Sequence, residues 1–199
     1  MKKIKWKILI ITALICLLPI LLGVAMWDSL PDQMAIHFNV NNQADGFASK
    51  LVAVVMLPVM MAVVQILCCI INDLGIDKYK GQIKLVTISK WIIPLLTIIL
   101  QIVTVYYNLG KSIDIRKLVA LIIGIIFVVI GCYFPNTVVR KFNGEVVEDK
   151  RTIRFMKASM VVLGILSIIS IFLSPVSTYV GIFLLIPYSI ICVVIGIKI

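Results

Sequence analysis

One histidine and two aspartates share a short polar stretch of an otherwise apolar chain. His37 lies between Asp32 and Asp45 in the segment LPDQMAIHFNVNNQADGFASK, residues 30–50. An imidazole together with two carboxylates is a plausible ligand set for zinc or another divalent ion. These three residues are therefore the candidate metal ligands, although one histidine and two carboxylates do not lead us to predict a bound metal or a cofactor.

The same stretch also has a structural interpretation, which we favour. Asp32 and Asn39 can accept hydrogen bonds from backbone amides in turns, Asp45-Gly46 can form a tight reversal, and Ser49 can cap a helix that begins near Lys50. In this interpretation the segment is an ordered loop that recognises a partner, with His37 and Phe38 on its functional surface. The predicted recognition loop comprises Pro31, Asp32, His37, Phe38, Asn39, Asp45, Gly46, Ser49 and Lys50.

The rest of the chain is suited to a membrane. Its 199 residues are 62% hydrophobic and 14% charged, with a mean hydropathy of +1.15. About 20 apolar residues suffice to cross the hydrocarbon core as a helix. We therefore predict an all-α polytopic bundle with an ordered extracytoplasmic loop, and six spans: Ile8–Trp27, Leu51–Asn72, Trp91–Leu109, Leu118–Pro135, Ala158–Leu173 and Tyr179–Ile197.

The charges orient this bundle. Of the 19 lysines and arginines, all but Lys50, Lys111, Arg116 and Lys117 fall on the side that holds the N-terminus. By the positive-inside rule that side is the cytoplasm, so both termini are predicted to be cytoplasmic and residues 28–50 to face outward. Because the net charge of +10 gathers at the inner face, its expected partners are anionic lipids, not nucleic acid. The predicted basic surface is Lys78, Lys80, Lys84, Arg140, Lys141, Arg151 and Arg154.

Two cytoplasmic segments connect the spans. Residues 73–90 are either an amphipathic helix on the membrane surface or a solvated loop. The third span is predicted to open at Trp91, with Pro94 in its first turn. In the second segment, Asn143-Gly144 marks a tight turn, so Thr137–Phe142 and Glu145–Val147 can pair as a small hairpin.

The predicted spans carry no charged residue at midplane depth, which argues against a pump, an ion channel or a proton-coupled transporter. Their polar side chains are predicted to form hydrogen bonds between helices; they are Gln65, Gln101, Thr97, Thr104 and Ser167. The five cysteines all fall within the spans and are interpreted as small buried residues without a disulfide or a metal site. No nucleophile–base arrangement or phosphate loop occurs, so we predict that the protein is not an enzyme.

The loop resembles the signature of a domain of unknown function that occurs in bacterial membrane proteins, commonly before an SdpI-type domain. The matching residues are Leu30-Pro31-Asp32, Ile36-His37-Phe38-Asn39 and Asp45-Gly46-Phe47-Ala48-Ser49-Lys50. Ala35 stands where that pattern usually has proline, and Asn42 stands where glycine is typical. Asparagine tolerates the left-handed backbone conformation that glycine favours.

The second half is similar in part to the SdpI family. Gly131-Cys132-Tyr133-Phe134-Pro135 resembles a family element at a helix end, whereas residues 137–151 do not match the segment that usually follows. We therefore divide the chain into residues 1–72, a helix-loop-helix unit that carries the loop, and residues 73–199, a reduced SdpI-type unit of four helices.

The resemblance implies a function in the cell membrane of a Gram-positive bacterium. Members of the SdpI family give immunity to a secreted toxic peptide and sequester a transcriptional regulator at the membrane. An immunity or signalling protein is thus the expected function. The alternative is a small permease or a metal-assisted membrane enzyme that uses the outer loop.

Overall fold

The computed structural model describes residues 4–39, 41–75, 83–134 and 150–172, together with Tyr188. Within these residues five helical segments are long and apolar enough to cross a membrane: Trp6–Ala25, Val52–Leu74, Val86–Asn108, Ile115–Tyr133 and Ile153–Phe172. The predicted all-α, multi-pass fold is confirmed. Apart from Tyr188, the sixth predicted span lies outside the described residues, as does the predicted hairpin of residues 137–147.

Six α-helices and one pair of strands make up the described chain. The helices are α1 (Trp6–Leu17), α2 (Pro19–Ala25), α3 (Leu57–Gly75), α4 (Ile83–Asn108), α5 (Ile115–Tyr133) and α6 (Lys150–Ile169), and the strands are β1 (Gln33–Phe38) and β2 (Ala44–Ser49). Short 3-10 turns follow α2 (Trp27–Ser29) and α6 (Ser170–Phe172), and a π-helical turn (Val52–Met56) precedes α3.

Two compact units divide the chain. Unit 1 contains Met1–Tyr79 and Val86–Asp114, and unit 2 contains Lys80–Leu85 and Ile115–Ile199. This division differs from the boundary that we drew at residue 72, because nearly all of α4 joins the first unit. Lys90, Gln101 and Asn108 of α4 also make hydrogen bonds to other residues of unit 1.

Helix α4 begins earlier than the sequence indicated. Ile83, Val86 and Lys90 belong to this helix, and Asp73 belongs to α3. The described residues of segment 73–90 form the ends of two spanning helices. Both alternatives that we predicted for this segment, a surface helix and a solvated loop, are therefore wrong for these residues. Pro94 is consequently a residue of the helix interior and not of the first turn.

Prolines in α3 and α4 release backbone carbonyls that glutamines of the opposite helix then bind. A proline has no N–H, so the carbonyl four residues before it loses its helical donor. Pro94 releases the Lys90 carbonyl, which accepts a hydrogen bond from Gln65 Nε2 at 2.8 Å. Gln65 lies on α3 and Pro94 on α4, so this hydrogen bond joins two different helices.

The reverse relation holds around the proline of α3. Pro58 cannot donate to Val54, its partner in an α-helix, or to Ala53, its partner in the π-helical turn. Both carbonyls accept from Gln101 Nε2, at 3.2 Å for Ala53 and 3.4 Å for Val54. Each helix therefore supplies the donor that the other helix's proline lacks.

The predicted hydrogen bonds between helices are confirmed for three of the polar residues. Gln65 also donates to Thr12 Oγ1 of α1 at 2.8 Å, and Ser167 of α6 donates to the Ala120 carbonyl of α5 at 3.0 Å. Thr97 instead donates within its own helix, to the Ile93 carbonyl at 2.8 Å.

The described cysteines differ in burial. Cys16 and Cys69 are buried, as predicted, and Cys68 is partly buried. Cys132 is exposed, so the interpretation of every cysteine as a buried residue was wrong at that position. An apolar thiol on the outer face of a membrane helix can still be shielded from water by lipid.

A buried ion pair joins the ends of α3 and α4. Lys90 Nζ donates to Asp73 Oδ1 at 2.5 Å, and each side chain is at most 2% exposed. Asp73 Oδ2 also accepts from the backbone N–H of Lys5, at 3.0 Å, just before α1. The pair therefore fixes three chain segments at one end of unit 1.

In unit 2, helices α5 and α6 approach closely through glycines. A Cβ atom placed on Gly124 would lie 2.7 Å from the carbonyl oxygen of Gly164, and the reverse placement gives the same distance. Ala120 is fully buried along the same contact. Small residues of this kind allow membrane helices to pack backbone against backbone, which increases their van der Waals contact.

Candidate recognition site

The segment that carries the candidate residues is a β-hairpin, residues 33–49, called the hairpin below. Its strands are antiparallel and pair Gln33 with Ser49, Met34 with Ala48, and Ala35 with Phe47. Register shifts follow on both sides of His37. Sequence reasoning placed this segment in an ordered loop but did not find the strands.

The described residues of the hairpin turn are Asn39 and residues 41–43. Asn39 Oδ1 accepts the backbone N–H groups of Asn41 and Gln43 at 2.9 and 3.0 Å, which is the amide-holding role that we predicted for Asn39. Asn42 has a φ of 60°, so an asparagine does occupy the left-handed conformation here. The predicted reversal at Asp45-Gly46 is wrong, because both residues lie within β2.

His37 and Asp45 form the exposed polar pair of the hairpin. His37 Nδ1 and Asp45 Oδ1 are 2.6 Å apart, with the histidine side chain 72% exposed and the aspartate 43%. Gly46 makes room for this pair, because a Cβ at that position would lie 2.7 Å from His37 Cβ. Glycine is thus needed in β2 for close approach across the strands and not for a turn.

Phe38, which we predicted to lie on the functional surface with His37, packs instead against a helix. Phe38 packs edge-to-face on Tyr107 of α4, with ring centroids 4.6 Å apart. The exposed apolar side chains of the hairpin are instead Ile36 and Phe47, which are 45% and 59% exposed. Phe38 therefore anchors the hairpin, and Phe47, which sequence reasoning did not select, offers the free aromatic surface.

Lys50 closes the base of the hairpin. Its backbone N–H donates to the Asp32 carbonyl at 2.9 Å, while its ammonium donates to the Trp27 carbonyl at 3.1 Å and lies 5.4 Å from the Trp27 ring centroid. The fully exposed Asp32 carboxylate is 3.4 Å from that ammonium. Asp32 thus meets a charge and not backbone amides, which corrects its predicted role.

Two residues of the predicted loop make no polar side-chain contact in the described part of the chain. Ser49 is exposed and forms no helix cap there, and Pro31 is exposed next to the buried Leu30. The predicted cap at Ser49 is therefore wrong, since the helix starts directly from the end of β2.

Helix α4 holds the hairpin in place. Asn108 accepts the N–H of Ala35 with Oδ1 at 2.7 Å and donates to the Ala35 carbonyl with Nδ2 at 3.0 Å. The carboxamide of Asn42 donates to the Ile113 carbonyl at 3.1 Å. Sequence reasoning had assigned Asn108 only to the membrane interface, because nothing in a helix-end Tyr-Tyr-Asn specifies a strand as its partner.

Apolar packing adds to these hydrogen bonds. Met34 of β1 is fully buried and clusters with Leu30, Ala53, Val54 and Val105. The hairpin is therefore attached to the helices by a buried methionine on one strand and by the Asn108 clamp, while β2 keeps one face free.

The metal interpretation finds two ligands at most. His37 and Asp45 are together, but Asp32 is held at Lys50, and no group of three His, Cys, Asp or Glu side chains forms among the described residues. Structural zinc sites use four ligands and catalytic sites use three from the protein. The metal-assisted alternative thus has no third ligand in the part of the chain that the structure describes.

Little of the predicted basic surface lies among the described side chains. Arg154 is exposed on α6, and the backbone of Lys84 and Arg151 lies in α4 and α6. Lys90, which we counted among the inner cations, is neutralised by Asp73. The other members, Lys78, Lys80, Arg140 and Lys141, lie outside the described residues.

The helices and the hairpin together define a polytopic helical membrane protein with an ordered, helix-anchored β-hairpin. A family described as a domain of unknown function, DUF1648, matches residues 14–62. The match runs from α1 through the hairpin into α3, which agrees with the resemblance of the loop. No curated protein and no solved structure matches the chain. The SdpI-type resemblance of the second half stays a prediction.

Proposed function

We propose that the protein is a non-enzymatic immunity or signalling protein of the bacterial cell membrane, whose hairpin recognises a secreted toxic or antimicrobial peptide. The observation that carries this proposal is the division of the hairpin into an anchored part and a free part. Met34, Phe38 and Ala35 are held by the helices, whereas Ile36 and Phe47 are exposed beside the His37–Asp45 pair.

Such a surface is suited to binding a peptide. An exposed aromatic residue on a rigid support contributes a large apolar contact at little cost in conformational entropy. The neighbouring His37 and Asp45 offer hydrogen-bonding groups that can select among apolar peptides. Because aromatic residues dominate the binding energy of many interfaces, we assign the main contact to Phe47.

The inner face has a second part in the proposal. Basic residues that follow α3 and α5 in the sequence would attract anionic lipid and hold an acidic regulator near the membrane. Both termini would then be cytoplasmic and the hairpin external. A membrane-impermeant thiol reagent tests this orientation, because it should label a cysteine at Gln43 in intact cells and spare one at Asn143.

Protection assays test the function itself. We expect deletion of the gene to sensitise the host to at least one peptide of an antimicrobial panel, and the wild-type gene to restore resistance. Phe47→Ala should restore it poorly, although it leaves the buried side of the hairpin intact. Ser112→Ala, an exposed substitution outside the hairpin, is the matched control and should protect fully. Unchanged sensitivity to the whole panel after deletion would contradict the proposal.

A further inference from the structure

The hydrogen-bonding pattern of the hairpin shows which backbone groups point outward. Opposed residues of antiparallel strands alternate between pairs that bond to each other and pairs whose N–H and C=O groups point away. Lys50 donates its N–H to the Asp32 carbonyl, so these two residues form a bonded pair. The next pair, Gln33 with Ser49, is then an outward-pointing pair.

The alternation continues one step further along the strands. Met34 and Ala48 bond to each other, and Ala35 and Phe47 point outward. An independent observation supports this assignment, since both backbone groups of Ala35 are bound by Asn108 on the far side of β1 from β2. The N–H and C=O of Phe47 must accordingly point to the opposite side, away from β1.

The two edges of the hairpin therefore differ. Asn108 closes the edge of β1 by taking the place of a neighbouring strand. On β2, the N–H and C=O of Phe47 and the N–H of Ser49 have no hydrogen-bond partner among the described residues. An open edge of this kind is a template for a further strand.

The charge near this edge indicates what kind of strand it can accept. Residues 27–50 contain Asp28, Asp32 and Asp45, all exposed, but only one lysine. That lysine, Lys50, already binds Trp27 and Asp32. Asp45 is the carboxylate that lies on β2 itself, so a lysine or arginine of an added strand can pair with it.

We propose that β2 accepts an extended segment of a cationic, apolar peptide as a third strand. The inference rests on the proposed function and specifies how the peptide is held. The backbone of Phe47 and the N–H of Ser49 bind the peptide backbone, the Phe47 ring covers an apolar side chain, and Asp45 meets a lysine or arginine. Main-chain bonds supply affinity in this mode, and the alternate side chains supply specificity.

A pair of substitutions at Ser49 separates the backbone from the side chain. Ser49→Pro removes an N–H that the hairpin itself does not use, and proline is tolerated at such an edge position. Ser49→Ala keeps the N–H and removes only the hydroxyl. The full-length protein in lipid nanodiscs is titrated with a short synthetic peptide of alternating valine and lysine, and with the same peptide N-methylated on every backbone amide, which removes the donors of both its edges.

We expect Ser49→Pro to weaken binding of the unmodified peptide by about tenfold, as for the loss of one backbone hydrogen bond. Ser49→Ala should bind as the wild type does, and the N-methylated peptide should bind weakly to all three proteins. The N-methylated peptide also tests the edge if Ser49→Pro fails to fold, which thermal unfolding in detergent reveals.

Other results would overturn the inference. Equal binding of both peptides would assign the contact to charge alone, and equal binding to protein-free nanodiscs of the same lipid would assign it to the bilayer. Concentration-dependent dimers that Ser49→Pro abolishes would make a second copy the occupant. If Ser49→Pro still protects cells as well as Ser49→Ala does, the open edge is not used, although peptide immunity stands. If gene deletion changes no peptide sensitivity, the proposed function itself fails.

Discussion

Replacement of Gln101 by leucine is the most direct test of how α3 and α4 are held together. The amide of Gln101 donates to the Ala53 and Val54 carbonyls at 3.2 and 3.4 Å, and Pro58 leaves both without a helical donor. Hydrogen bonds between membrane helices contribute about 0.6 kcal/mol on average and up to about 1.7 kcal/mol. A buried carbonyl left without a donor costs about 1–3 kcal/mol. We therefore expect Gln101→Leu to lower the free energy of unfolding by about 1–3 kcal/mol.

A second substitution identifies the cause of that loss. Pro58→Ala restores an N–H that can bond to the Val54 carbonyl, so Gln101→Leu should cost about 1 kcal/mol less in that background. Pro94→Ala is the matched control, because it restores a donor for the Lys90 carbonyl, which Gln65 binds. It should not rescue Gln101→Leu.

The assay is unfolding of the purified protein in mixed detergent micelles, with a full double-mutant cycle for each proline. Rescue of Gln101→Leu by Pro58→Ala alone is the expected result. If both prolines rescue it equally, the effect is general helix stabilisation and not donor replacement. If neither does, leucine is destabilising for reasons of packing, and the carbonyls freed by Pro58 do not need Gln101.

Three further outcomes follow from the packing. Gly124→Ala should destabilise unit 2 by about 1–3 kcal/mol, since its Cβ would meet the backbone of α6. Leu121→Ala, at an exposed position of the same helix, is the control and should leave the stability of unit 2 unchanged. Equal unfolding midpoints for the two variants would contradict this prediction. Asp73→Leu should cost about 3–5 kcal/mol because it leaves Lys90 buried without a counter-charge, and adding Lys90→Leu should recover part of that loss in detergent unfolding. Asn108→Asp removes the donor to the Ala35 carbonyl, whereas Asn108→Gln keeps a donor on a longer side chain. We expect limited proteolysis to cut the hairpin faster in Asn108→Asp than in Asn108→Gln. Equal cleavage rates would show that this donor does not hold the hairpin.

The spans were predictable because their signal is local. Long apolar runs such as Leu51–Asn72 have the length of a bilayer, and runs of this length predicted the five spans among the described residues. The ends were less predictable. Lys90 marked an apparent end of the third span, since a lysine is costly in lipid. In the structure α4 continues through Lys90, whose charge is paired with Asp73 of α3.

The hairpin was hidden for a different reason. Strands are found in a sequence by alternation of polar and apolar residues. In β1 the register shifts around His37 coincide with an irregular order of buried and exposed residues, and in β2 the exposed face combines Asp45 and Ser49 with the apolar Phe47. Asp45-Gly46 then has the composition of a turn, although the glycine is there to admit His37. The amide contacts of Asn39 and the left-handed conformation of Asn42 were predicted correctly, because both depend on the local chain, whereas the bond from Asn42 to Ile113 was not predicted.

The exchange of donors between α3 and α4 has a consequence for how the chain enters the membrane. Inserted alone, either helix would carry at least one bare carbonyl into lipid, where no water can solvate it. The backbone carbonyls of each helix therefore find all their donors only when the two helices pack together. A shift of one residue between the helices would move Gln65 and Gln101 away from the carbonyls that they bind. Pro58 and Pro94, which look like weak points when each helix is considered singly, make the two helices recognise one another and set their register during assembly.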